Sequence, residues 1–81
     1  MQIYVIHSSH FSTLSEFYAY VNSEFFHADY FGNNLDALAD CLSDLESGVF
    51  IWQGSAKSKK ELRNFDTIYV IIWENHRLEL R

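Results

Sequence analysis

Eighty-one residues with 48% apolar, 17% aromatic and 21% charged content suit one small globular domain, residues 1–81, and exclude a disordered chain. A formal net charge of −5 argues against nucleic acid or a membrane as the main partner, since nucleic acid and anionic bilayers both present dense negative charge. The charge is segregated: residues 1–50 hold seven carboxylates (Glu16, Glu24, Asp29, Asp36, Asp40, Asp44 and Glu46) and no lysine or arginine, while all six basic side chains fall between Lys57 and Arg81.

The β-branched and aromatic run from Gln2 to Ile6 predicts a strand. Thr13 followed three residues later by Glu16 is a capping-box pattern, and Leu14, Phe17, Tyr18, Val21 and Phe25 recur at helical spacing, so a first helix is expected over about 14–25. Gly32 interrupts the chain, and Asn33 or Asn34 caps a second helix by accepting from its first-turn N–H groups. Leu35, Leu38, Leu42 and Leu45 form the buried stripe of that helix. Asp36, Asp40 and Asp44 stack at four-residue intervals on another face, a row about 12 Å long at 1.5 Å per residue. Gly48 ends the segment.

Val49–Trp52 and Ile68–Trp73 are continuous apolar runs, read as central strands covered on both faces. Between them, the polar and basic stretch 53–64 has room for a turn and a short helix around 58–65. Strands separated by helices imply parallel pairing with right-handed crossovers. Leu78 and Leu80 suggest a brief hairpin arm within 74–81. No apolar run reaches the roughly 20 residues that span a bilayer. With no basic leader before the apolar start, and with a lone Cys41 that forms no internal disulfide, a cytoplasmic location is expected.

Enzyme signatures are weak. Asp36 and Asp40 lie within about 6 Å on one helix face, but neighbours on one exposed helix do not flank a substrate bond, nor do they surround a divalent cation. His7, His10, His27 and His76 make no zinc-ligand spacing with Cys41, and no phosphate-binding glycine motif is present, so no cofactor or metal is expected. Lys57, Lys59, Lys60 and Arg63, beside Glu61 and Asp66, read as a solvated face or as the balance for the acidic helix. The informative combination is an aromatic pair, a glycine and then a row of aspartates with no cation nearby in sequence. Such a row is a rigid, short-armed anion display suited to a pocket built for phosphate.

At this stretch the chain resembles the barstar family of ribonuclease inhibitors. The family's pattern, aromatic-aromatic-Gly-x-Asn-Leu-Asp-Ala-Leu-x-Asp-Cys-Leu, is met by Tyr30, Phe31, Gly32, Asn34, Leu35, Asp36, Ala37, Leu38, Asp40, Cys41 and Leu42. The resemblance implies an α/β fold, a small three-stranded parallel sheet packed against helices. It also implies a non-enzymatic inhibitor or immunity protein that occludes the basic active site of a ribonuclease or RNase-type toxin. By position, Tyr30 would stack near the enzyme's catalytic or base-reading groups, Asn34 and Asp36 would bond its rim, and Asp40 would fill the phosphate pocket. Phe31, Ala39 and Asp44 complete the expected partner-binding set. The family's namesake carries tryptophans where this chain has Ala39 and Leu45, and a glycine where it has Asp44, which reduces the anchoring surface. It also draws acidic contacts from a later helix, for which the basic region after Trp52 offers no evident counterpart. The alternative reading is a general interaction module docking a basic, non-nuclease partner through the same helix. A weaker third is a small acidic enzyme or metal protein using Asp36 and Asp40. Oligomeric state is left open.

Overall fold

In the computed structural model, which describes residues 1–81, the opening run forms strand β1 (Gln2–His7), followed by a single 3-10 turn over Ser8–His10. The capping box is made: Glu16 N–H donates to Thr13 Oγ1 at 3.1 Å, and Glu16 Oε1 accepts from the backbone N–H groups of Thr13 (3.1 Å) and Ser12 (2.9 Å). Helix α1 (Leu14–Val21) then widens into a π turn over Asn22–Phe26, closed by His27 at φ 53°. The expected first helix is thus two pieces. The wider turn directs Phe25 onto Tyr4 and Phe50 (centroids 5.7 and 5.5 Å) and Phe26 onto Phe31 (5.7 Å).

Helix α2 (Leu35–Asp44) buries Leu38 and Leu42 fully and Leu35 and Leu45 in part, matching the expected stripe. Strand β2 (Gly48–Gln53), helix α3 (Ser55–Glu61), helix α4 (Phe65–Asn75) and strand β3 (Arg77–Leu80) complete the chain. Two expectations are corrected here. Ile68–Trp73 is not a strand but the middle of α4, whose buried residues Phe65, Ile68 and Ile72 sit at helical spacing. The last residues form no hairpin arm; β3 lies parallel to β2, with Leu78 opposite Phe50 and Leu80 opposite Trp52. The short helix between them begins earlier than expected, at Ser55.

The sheet has order β1-β2-β3, all parallel, so it is the three-stranded parallel sheet expected. Consecutive right-handed crossovers place every helix on one face. Tyr4, Ile6, Phe50, Trp52 and Leu78 point into that layer and join one core cluster with α1, α2 and α4. The opposite face carries Ile3, Val5, Val49, Ile51, Arg77 and Glu79, and Ile3 is 67% exposed. The expectation that β2 is covered on both faces is therefore also corrected: Val49 and Ile51 are only half-buried.

Two polar devices tie the layers together. The indole N–H of Trp52 donates to Ser8 Oγ (2.9 Å) and Ser58 Oγ (3.0 Å), and these hydroxyls bond each other at 2.6 Å, all buried. The Lys57 ammonium donates to the carbonyls of Ser8 (3.1 Å) and Phe11 (3.0 Å) and to Glu61 Oε1 (2.6 Å). Its three N–H groups are all engaged within its own neighbourhood.

Candidate functional site

The turn before α2 is built by its two asparagines. Asn33 takes the left-handed region at φ 51°, a conformation asparagine tolerates better than most side chains. Of the two candidate caps, Asn34 is the one used. Its Oδ1 accepts from Ala37 N–H at 2.8 Å and its Nδ2 donates to the Gly32 carbonyl at 3.0 Å. A Cβ on Gly32 would stand 3.0 Å from Asn34 Nδ2 and 3.3 Å from Ala37 Cβ, so the glycine leaves room for the cap.

The aromatic pair splits its roles. Phe31 is half-buried against Tyr18 and Phe26, with centroids at 5.8 and 5.7 Å, and so fastens the loop. Tyr30, 87% exposed, projects away from the same loop. On α2, Asp36, Asp40 and Asp44 are all exposed and Ala39 is half-buried. Asp36 lies in the first turn, where the helix dipole favours a carboxylate.

No lysine, arginine or histidine approaches these aspartates within ion-pairing distance. The molecule's two salt bridges are Lys57–Glu61 at 2.6 Å and Arg81–Glu79 at 3.0 Å. The Lys57–Arg63 segment therefore does not neutralise the acidic helix. Tyr30, Asn34, Asp36, Asp40 and Asp44 are thus all exposed, on α2 and the loop that leads into it, while Phe31 is packed into that loop.

Cys41 sits partly buried on α2, lining with Phe26, Ala28, Asp44 and Leu45 a recess of about 200 Å³. Burial pushes its thiol above the ordinary range, and the charges of Asp44 and Asp40 add to the effect. A thiol held in its protonated form is a poor nucleophile. No three His, Cys, Asp or Glu side chains converge to hold a metal ion.

Sequence reasoning missed His76. This buried residue follows α4 and donates Nε2–H to the Leu42 carbonyl, at 2.8 Å, in the last turn of α2. Tyr4 secures the same end, donating its hydroxyl to the Glu46 carbonyl at 2.7 Å. The signal in sequence is faint: one histidine between a continuous apolar run and a short stretch of alternating polarity.

Comparison with curated proteins gives no match. The family model described as barstar (barnase inhibitor) does match, and it takes in β1, the loop at Tyr30, the acidic helix, α4 and the start of β3. With residues 1–78 of 81 so covered, the chain belongs to the barstar family.

Proposed function

We propose that this protein inhibits a ribonuclease by inserting α2 and the Tyr30–Asn34 loop into the enzyme's basic active site, as a non-catalytic plug. The single observation that carries the reading is the exposed, unpaired row Asp36, Asp40 and Asp44 beside the projecting Tyr30. An RNA-cleaving site concentrates cations to hold phosphate, so a fixed array of carboxylates competes for the same groups. Long-range attraction speeds encounter, and charge-assisted hydrogen bonds in the desolvated centre slow escape. Tyr30 supplies a flat anchor at low entropic cost. Asn34 fixes the register of the loop through its cap, and Asp40, central in the row, takes the phosphate position. A cytoplasmic immunity role, protecting the host from its own or a rival's nuclease, accords with this chemistry.

The test is inhibition of RNA cleavage by barnase, and by basic ribonucleases captured from the native host, using wild type and single alanine variants. Asp40→Ala should weaken inhibition most, Asp36→Ala less and Asp44→Ala least. Losing one partner of a buried charge pair costs about 2–5 kcal/mol, a range for which the barnase–barstar complex is itself a reference case, so roughly 30-fold is the least loss expected for Asp40. Inhibition should also fall as salt rises. Equal inhibition by wild type and Asp40→Ala would overturn the placement of the anchor. Capture of basic proteins without nuclease activity would favour the general interaction module instead.

A further inference from the structure

We infer that the N-terminal half of β1 is a self-pairing edge through which two copies of this chain join their sheets. The two edges of the sheet are guarded differently. β3 is four residues long and bears Arg77 and Glu79, and a short, charged strand is a common way to discourage pairing. β1 is six residues long, QIYVIH, with no lysine, aspartate, glutamate or proline. Its even-numbered residues turn their backbone groups toward β2, as the bond from Gln2 N–H to the Ser47 carbonyl shows. Ile3, Val5 and His7 therefore turn theirs outward.

The far end of this edge is already closed. The Tyr20 hydroxyl accepts from His7 N–H at 3.0 Å and donates to the Val5 carbonyl at 3.4 Å. What stays open is Ile3 N–H, Ile3 C=O and Val5 N–H, none of which has a partner within the chain. That remnant is self-complementary. In an antiparallel pair centred on Ile3, the two Ile3 residues exchange N–H and C=O reciprocally, and each Val5 N–H meets the carbonyl of Met1 in the second copy.

Two further observations select a second copy as occupant. Ile3 is 67% exposed and continues the open face of Val5, Val49 and Ile51, so pairing two edges merges two small apolar faces into one. No charged side chain of either strand is brought opposite a like charge, although each chain is strongly acidic overall, because the acidic row lies on a helix of the other layer. The contact is small, which places it in the weak, concentration-dependent class.

Sedimentation equilibrium from about 10 µM to 1 mM, together with amide exchange by NMR, tests this inference independently of any ribonuclease. The expected result is a mass rising from 9.5 kDa toward twice that value, with protection of the Ile3 and Val5 amides growing in step and that of Leu78 and Leu80 unchanged. Ile3→Lys, at an exposed position, should weaken association at least tenfold while leaving the thermal midpoint in place. Asp40→Ala should associate as wild type does. A monomer at every concentration would overturn the proposal, and so would association that ignores Ile3→Lys or protects the β3 edge or another surface instead.

Discussion

Trp52, Ser8 and Ser58 form a closed, buried polar triangle, and its members should be energetically coupled. Removing the Ser8 hydroxyl leaves the indole N–H with Ser58 Oγ at 3.0 Å, and removing the Ser58 hydroxyl leaves it with Ser8 Oγ at 2.9 Å. Each single alanine variant thus gives up two of the three contacts but keeps the indole N–H satisfied, a net loss of about 1 kcal/mol, and Ser58→Ala recovers up to about 0.5 kcal/mol because alanine is the better helix former within α3. The double variant strands the N–H of a fully buried indole, which adds a desolvation cost of about 1–3 kcal/mol. The bond between the two hydroxyls is lost in both singles but only once in the double change, which offsets about 1 kcal/mol, so the double change should cost at least the sum of the singles and up to about 2 kcal/mol more. Equilibrium urea unfolding of the four proteins, with unchanged m values, measures the coupling directly. A double change costing about 1 kcal/mol less than the sum would refute the reasoning, because that is the coupling of the hydroxyl pair alone, with no N–H left stranded.

Three further outcomes are expected. The Glu16 carboxyl is held below its ordinary range, chiefly by the backbone N–H of Ser12 and then that of Thr13. Folding therefore favours its charged form; this contribution is complete above the unfolded value of about 4.3 and is lost as pH falls through the lower folded value. Glu16→Gln keeps an acceptor without the charge, so denaturant midpoints of variant and wild type should converge between about pH 5 and pH 3. Asn34→Ala should cost about 1 kcal/mol in urea unfolding through loss of the cap, and should weaken ribonuclease inhibition more than that stability loss explains. His76→Ala should cost about 2–4 kcal/mol, since it opens a cavity against Tyr4 and Phe50 and removes the donor from the Leu42 carbonyl; thermal melting reads this directly.

The parts of the fold legible in sequence were those written in local chemistry. The Thr13–Glu16 box, the Asn34 cap and the leucine stripe of α2 each specify their structure within a few residues, and each formed as expected. The segment IYVIIW did not declare itself, because a buried helix and a buried strand share a continuous apolar run. Val70 and Trp73 on the exposed side of α4, 49% and 58% exposed, hid its helical period behind apolar side chains that face solvent. The brief alternation through Leu78 and Leu80 fits a hairpin arm as well as a strand of the parallel sheet, and the charges of Arg77 and Glu79 do not decide between them. Those charges lie on the open side of the sheet, while Leu78 faces the helices. At the site, exposure of the aspartates followed from the helical wheel. That Phe31 anchors while Tyr30 projects depended on a tertiary contact with Tyr18, which spacing alone does not encode.

The bond from His76 to the Leu42 carbonyl has a kinetic corollary. The last turn of the acidic helix is riveted to the residue that introduces the final strand, so neither is free to fray by itself. Unzipping β3 from its neighbour would release the helix end in the same event, and amides in both should exchange as one cooperative unit. If α2 acts as the proposed plug, its carboxylates keep their register for as long as the far edge of the sheet holds, since the two loosen together.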